Sequence, residues 1–385
     1  MNIVQKILGR LGYSLTRDSA TPSATKKILA LHPSKADTKP LISREDAADA
    51  LKSVGRELNV PAFYFYKRPD KSSVLMEQLE NNWWNAHGEL IEKAWVFSEK
   101  TNYYYRKDYV SKAVSFFKET GKKAVILDLG CGSGWLGRMI ADDGLEYHGM
   151  DFSSTQIDIA NKEKQKASNK EHLHYYCLTD FRKIENISSV TGVVIHAFLH
   201  HLYWEDLTNL FDELAETLPQ GCKFFIMEPV YPAKSKAANT FTEKATNDAL
   251  VSAYRANLIF IKNKLMDENN YDSKTESDLI QAEFESTKNG FFFSPKEVPF
   301  KLDEFKTFLA TYLTIEKTFH CGVLNLETAQ LVERIRSEEK QNFFSELLFP
   351  AANALDKLLL SNNYFEANEN NYLFTVFECS LNKNR

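Results

Sequence analysis

The stretch Val125-Ile126-Leu127-Asp128-Leu129-Gly130-Cys131-Gly132-Ser133-Gly134-Trp135 decides how this chain is read. A short apolar run ends in alternating glycines, and a helix-forming segment follows, so a buried strand turns into a helix through a glycine loop. Glycines there let a ligand approach the backbone closely beside a helix N-terminus. Asp128 adds a carboxylate at the carboxyl end of that strand.

Working outward, the same texture repeats. Tyr147–Met150, His174–Leu178, Gly192–Ala197 and Lys223–Met227 are expected strands; Trp135–Asp143, Ser153–Lys166 and Leu207–Leu218 are expected helices. Strands alternating with helices predict parallel βαβ units and a sheet covered on both faces. After Pro232 the alternation stops. Residues 233–290 are polar and helix-like, Phe293-Ser294-Pro295 opens a predicted helix through Leu309, and Leu313–Phe319 is a predicted strand. Residues 327–360 form another helical block, and Tyr372–Glu378 a last strand. There is no internal repeat.

Gly132-x-Gly134-x-x-Gly137 with Asp151 downstream matches part of the dinucleotide-binding fingerprint. Asp128 separates two readings of it. A carboxylate beside a pyrophosphate is repulsive, whereas beside an ammonium it is attractive. S-adenosylmethionine (SAM) carries an ammonium and no phosphate. The D-x-G-x-G-x-G pattern at Asp128–Gly134 resembles motif I of the class I SAM-dependent methyltransferases. The neighbouring elements follow that family's order over about residues 122–232, with its last two strands placed near 313–319 and 372–378. The resemblance implies a Rossmann-like α/β fold, a seven-stranded mostly parallel sheet with a helical N-terminal extension and helical insertions. It implies that SAM is held by Asp128 and the loop glycines Gly130, Gly132 and Gly134. Asp151 would take the ribose hydroxyls and Phe152 the adenine face. Asp180, in Leu178-Thr179-Asp180-Phe181, would take the adenine amino group, with Phe181 beside it. His196 would lie at the end of the fourth strand, and Arg106 would meet the SAM carboxylate.

Methyl transfer is an in-line displacement in which the protein mainly aligns the reactants. A hydroxyl acceptor would also benefit from a base. Ile195-His196-Ala197-Phe198-Leu199-His200-His201-Leu202 is similar to the family's "LHHL" variant, and the acceptor should lie over the ends of strands four and five. His200 or His201 would take the proton, since histidine titrates near neutrality, and Glu228 would orient the acceptor or that histidine. The bland alternatives are a capping histidine, a packed histidine and a strand-end carboxylate satisfied by backbone amides. His196 and His200 are four apart, yet His196 falls on a strand end. His172-x-His174 has no partner nearby in sequence, so no metal is expected.

The 385 residues divide into 1–42 (an amphipathic helix and linker), 43–120 (a helical region covering the cofactor site) and 121–385 (the SAM-binding domain). The last contains a helical lid insert at 233–290 and a second helical insert at 327–360. The lid is expected to supply Phe241, Tyr254, Phe260 and Tyr271 to an aromatic-lined acceptor cleft. Residues 1–17 carry Ile3, Val4, Ile7, Leu8 and Leu11 on one helical stripe with Lys6, Arg10 and Arg17. That pattern suits weak contact with an anionic membrane surface or docking on the protein itself, and a single short helix binds membrane only marginally. A net charge of −5 does not carry the basic footprint of a nucleic-acid binder, so none is expected as a partner. Five dispersed cysteines without a CxxC suit reduced thiols in the cytoplasm, with the inner membrane face as a peripheral site. The expected function is O-methylation of a small molecule or glycan. A non-catalytic SAM-binding interaction module and an NAD(P)-dependent oxidoreductase are the alternatives.

Overall fold

The computed structural model describes residues 68–95, 104–119, 124–231, 241–288, 294–362, 364 and 373–383. The expectations for the N-terminal helix, the linker and the first part of the 43–120 region lie outside the described residues. Two helices come first, α1 (Val74–Trp95) and α2 (Tyr104–Lys118). The alternating part follows as β1 (Val125–Leu129), α3 (Trp135–Ala141), β2 (Glu146–Asp151), α4 (Ser154–Lys164), β3 (Leu173–Cys177), β4 (Gly192–His196), α5 (Trp204–Thr217) and β5 (Lys223–Tyr231). The rest is α6 (Phe241–Asp267), α7 (Ser273–Lys288), β6 (Phe300–Lys301), α8 (Leu302–Ala310), β7 (Leu313–His320), α9 (Val323–Glu333), α10 (Glu338–Ser361) and β8 (Leu373–Leu381). Among the described residues no helix is long and apolar enough to cross a membrane.

The sheet order is β3-β2-β1-β4-β5-β8-β7, with the two-residue β6 beside the far end of β5. β1 to β5 pair in parallel, and β8 runs antiparallel to both β5 and β7. This is the expected seven-stranded Rossmann-like sheet plus one short strand. The chain leaves β1 to one side for β2 and β3, then returns to the other side for β4 and β5. The crevice outside the carboxyl ends of β1 and β4 is therefore the switch point where such sheets bind ligands.

Strand alternation sends successive side chains to opposite faces, and each face meets helices. Ile126, Tyr147, Val194 and Phe225 pack against Tyr109, Ala113, Phe116 and Phe117 of α2. Leu127, Val193, Ile195 and Phe224 pack on the other face against Leu207, Phe211 and Leu214 of α5 and Phe305 and Leu309 of α8. Burial on both faces explains why the strands are near-continuous apolar runs.

Two boundaries differ from expectation. The helix predicted to open at Phe293-Ser294-Pro295 begins only at Leu302. Pro299 removes a helical donor and disfavours helix at Val298, and the Val298 amide instead donates to the His200 carbonyl (3.0 Å). β5 continues past the predicted end at Met227, through Pro229 to Tyr231. Its last β4 pair is His196 with Met227, so beyond that point one edge is free of β4 and the missing proline N–H costs no ladder bond there.

Candidate functional site

The cleft at the switch point has a volume of about 910 Å³. That lies within the roughly 300–1,000 Å³ of small-molecule sites, toward the upper end. Its floor is the glycine loop. Gly130 and Cys131 both donate to the Met150 carbonyl (2.9 Å each), which ties the loop to β2. Gly130 has φ +73°, and a Cβ there would lie 2.5 Å from the Phe198 ring. Gly132, at φ +52°, has only Gln156 Oε1 within reach, at 3.7 Å, so the space above it is open. Gly134 heads α3, and its carbonyl accepts from the Tyr175 hydroxyl at 2.8 Å.

Asp128 lines the cleft but is 1% exposed. The Tyr147 hydroxyl donates to its Oδ2, and its Oδ1 is buried with no hydrogen-bond partner among the described residues. Burial pushes its carboxyl up to about 7, opposed by that hydrogen bond and aided by the charge of Asp151. Asp151 accepts from the Gly132 amide (3.0 Å) and the Ser153 amide (2.8 Å). Its own pKa is raised by burial. Ser133 Oγ and Gln156 Oε1 are likewise buried without a partner, and both residues face this cleft. Unmet buried polar atoms are costly, so three around one loop mark a place built for a polar ligand.

Phe152, Phe181 and His196 line the cleft as expected, together with Leu178 and Thr179. Asp180 is not among the lining residues, and this corrects the expectation for it. Its carboxylate accepts from the Arg182 backbone amide (3.0 Å) and Arg182 Nε (2.8 Å), capping a short 3-10 turn on the surface. Arg106 lies in α2, but its side chain is outside the described residues. The lid expectation is also corrected. Among the described residues none of α6 or α7 lines the cleft. Tyr254 is buried with its hydroxyl on Thr328 (2.7 Å), Tyr271 is buried, and Phe260 is 67% exposed. The side chain of Phe241 is outside the described residues. The opposite wall is instead α1, through Glu77, Glu80, Asn81 and Trp84.

The Leu199–His201 turn hangs from β4 over the cleft. Ala197, which precedes it, takes φ +53°, a left-handed conformation costing an L-residue about 1–2 kcal/mol. Glu228 offsets that strain from β5. Its Oε1 accepts from the Phe198 (2.9 Å) and Leu199 (2.7 Å) amides, and its Oε2 from His200 N (3.3 Å). The same Oε2 lies 2.7 Å from His200 Nδ1. Glu228 is fully buried and does not line the cleft, so its contacts are with the turn and with His200 rather than with the cleft itself. Burial pushes its carboxyl up to about 7, against those backbone donors. Buried Arg68 closes the turn from behind, donating to the carbonyls of Leu202 and Val298 and to that of His200 at 3.3 Å.

The two histidines face different fields. Burial, the charge of His201 and that of Arg68 hold His200 well below the usual histidine range. Burial also works against the charged form of His201, but Glu80 overrides it and raises His201. His201 Nδ1 lies 3.0 Å from Glu80 Oε1 and 3.1 Å from Ser294 Oγ. Glu80 in turn accepts from the Lys296 amide (2.8 Å), Ser294 Oγ (3.0 Å) and Trp84 Nε1 (2.8 Å). Burial raises its carboxyl, but His201 above all, helped by the Lys296 amide and Trp84, leaves it below the ordinary value. The two rings, with basicities pushed in opposite directions, sit with centroids 4.0 Å apart. Sequence reasoning missed Glu80, Ser294 and Lys296. The available signal was the stripe Glu77, Glu80, Asn81 and Trp84 at helical spacing, polar and aromatic on one face.

Residues 126–221 match the family model described as a methyltransferase domain. A ubiquinone biosynthesis O-methyltransferase of Rickettsia typhi is 25% identical over 126 residues, 33% of this chain and 48% of that protein. The match thus spans about half the length of that curated relative. Among solved structures, phosphoethanolamine N-methyltransferase 2 of Haemonchus contortus, bound to SAM, aligns over 81% of this chain and 61% of its own at 15% identity (TM-score 0.43). Geranyl diphosphate C-methyltransferase of Streptomyces coelicolor aligns over 81% and 99% at 14% identity (TM-score 0.41). With the sheet order and the motif I loop already in place, the match at residues 126–221 identifies this part of the chain as a methyltransferase domain of the class I, SAM-dependent family.

Proposed function

We propose that this chain is a SAM-dependent O-methyltransferase of a small molecule or glycan, with His200 as the base. The observation that carries the reading is the set of unmet polar atoms around Gly132, namely Asp128 Oδ1, Ser133 Oγ and Gln156 Oε1. They fit a ligand that brings an ammonium and hydroxyl groups. Asp128 would hold the ammonium, Asp151 the ribose, and Phe152 the adenine face, with the open side of Gly132 admitting the ligand to the backbone. SAM supplies a methyl group already activated on a sulfonium, so the protein's own work is alignment and proton handling.

His200 suits the proton-handling part. With Nδ1 donating to Glu228, its Nε2 carries the lone pair that accepts a hydroxyl proton. Its depressed pKa keeps it neutral at pH 7 and ready to accept. His201 is held by Glu80, which favours its charged form, so it suits a positive boundary of the site better than the role of base.

The cleft wall also bears on the acceptor. Glu77, Glu80, Asp206, Glu213 and Glu297 line it, against Lys296, which is paired with Glu77. An acceptor that is neutral or cationic is favoured over a phosphorylated one. The test is a screen of labelled SAM against neutral phenols, neutral glycans and phosphorylated compounds. Methyl transfer to a hydroxyl of a neutral acceptor, reduced at least a hundredfold in His200→Ala at unchanged affinity for S-adenosylhomocysteine, supports the reading. Binding without turnover on any acceptor points to the non-catalytic module. Binding of NADH in place of SAM refutes both.

A further inference from the structure

We propose that the amino end of the sheet edge carries a site for a divalent transition-metal ion such as zinc, formed by Glu146, His148 and His174. His172-x-His174 had no partner within its own stretch of sequence. The parallel pairing of β2 with β3 supplies one, because it sets His148 directly beside His174. Glu146, two residues before His148, projects from the same face of β2. One ligand atom from each of the three lies within 4.8 Å of the others. Two ligand atoms bound at about 2.0–2.1 Å to a tetrahedral zinc lie roughly 3.3 Å apart, so the cluster closes when the stacked His148 and His174 rings, 4.8 Å apart between centroids, turn toward one another. Imidazole nitrogens with one carboxylate oxygen are the donor set of borderline ions such as Zn²⁺, Co²⁺ or Ni²⁺ rather than of Mg²⁺ or Ca²⁺.

The surroundings hold these groups in place. His172 Nδ1 lies 3.1 Å from Glu146 Oε2, while His174 Nε2 lies 2.7 Å from Oε1. An ion would take the position of the proton shared across that second contact, and His172 would keep orienting the carboxylate. The Tyr176 hydroxyl lies 3.1 Å from His148 Nδ1, and its ring is parallel to that imidazole. Such outer partners fix ring orientation at metal sites. All three ligands are half-buried, which leaves a path for the ion and a position for water. The site is distinct from the cleft. Glu146 begins β2 and Asp151 ends it, so they are separated by a six-residue strand, roughly 16 Å at ~3.3 Å per residue. An ion here would cross-link β3, the strand at the end of the sheet, to its neighbour, a stabilising role rather than a catalytic one.

The test uses the full chain without a histidine tag, stripped with EDTA and desalted. Zinc chloride titrated by calorimetry should bind once per chain, and Co²⁺ should give ligand-field absorption without thiolate charge transfer. Zinc at a hundred times its dissociation constant should raise Tm by about 3 °C. His148→Ala/His174→Ala should weaken zinc binding roughly a hundredfold or more, leaving affinity for S-adenosylhomocysteine unchanged. Glu146→Gln, which keeps the shape and a hydrogen bond to histidine, should weaken zinc as well and guards against misfolding of the double variant. Absent zinc binding, full affinity in the double or the Gln variant, or a thiolate band from a site such as the exposed Cys177, would overturn the proposal.

Discussion

Asp128 offers the sharpest test of the cofactor site, because its predicted role and its burial pull in opposite directions. Burial raises its carboxyl to about 7, so near neutral pH about half the free protein has it protonated. Only the ionised form pairs with an ammonium. The apparent dissociation constant should therefore grow as pH falls, about 1.1 times its limiting value at pH 8, twofold at pH 7 and about elevenfold at pH 6. S-adenosylhomocysteine is the suitable probe, since its ammonium stays protonated over this range. Asp128→Asn removes one charge-assisted bond, worth about 1.5–3 kcal/mol, so binding at pH 8 should weaken by ten- to about 150-fold and lose most of its pH slope. Asp151 and His201 also titrate near the cleft, so the difference between wild type and variant isolates Asp128.

The same substitution should move stability the other way. An acid whose folded pKa lies above its unfolded value binds more protons when folded, so its stability contribution falls as pH rises from about 4 to about 7. At pH 8 the ionised carboxylate costs the fold up to about 4 kcal/mol, which Asn does not incur. Asp128→Asn should therefore melt above wild type at pH 8 and near it at pH 4, while binding worse. Calorimetric titration and thermal melts across this range measure both. A wild-type affinity flat from pH 8 to pH 6, or a variant keeping the full slope, would remove Asp128 from the ammonium site.

Glu228→Gln places an amide where four donors converge on a carboxylate, and should lower turnover by about 10²–10⁴ with little change in cofactor affinity. A shifted pH–rate profile, checked with the screened acceptor, distinguishes a positioning role from simple loss of stability. Glu80→Gln breaks a buried ion pair and should cost about 3 kcal/mol in urea unfolding near pH 6. The raised His201 pKa makes that loss shrink as pH climbs through it, since the pair is no longer charged; a loss constant from pH 6 to pH 9 would contradict the pairing. Gly130→Ala combines left-handed strain with a clash against Phe198 and should cost about 3 kcal/mol. Gly144→Ala, at φ +76° with nothing within 4 Å, should cost only about 1 kcal/mol, and equal losses in the two would show that Phe198 yields.

What the sequence made legible was whatever depends on short-range pattern. Val125–Leu129 and its parallel partners are apolar throughout because both faces are covered, and that signal survives without knowledge of the neighbours. Asp128, Asp151 and the glycines were legible because they sit at strand ends, where chain direction alone fixes their place. Asp180 sits at such an end too, yet Arg182 two residues on captures its carboxylate. Tyr254 and Phe260 were misplaced because a helix that is apolar on more than one side does not say which side meets the cleft. Glu80 was invisible because its partners, His201 and Ser294, lie far along the chain, and His148 met His174 only through strand register.

The same separation explains why the basicities of two adjacent histidines are pushed in opposite directions. His200 and His201 share one turn, but their partners come from opposite walls. His200 turns toward β5 and finds Glu228, which is already engaged by three backbone amides. His201 turns toward α1 and finds Glu80, whose other partners come from the segment before β6. Removing α1 from the cleft would thus strip the counter-charge of His201 while leaving the His200–Glu228 contact intact. Glu80 acts on His200 in two opposed ways, since its own charge raises the His200 pKa while the His201 charge it stabilises lowers it, so it is loss of the His201 charge that should let the His200 pKa rise. The basicity of the proposed base is therefore tuned by the charge of its neighbour, and an alkaline shift of the base-limb midpoint in the pH–rate profile of His201→Gln is the sign to look for. An unshifted midpoint would mean that burial and Arg68 set His200 and that the His201–Glu80 pair is structural.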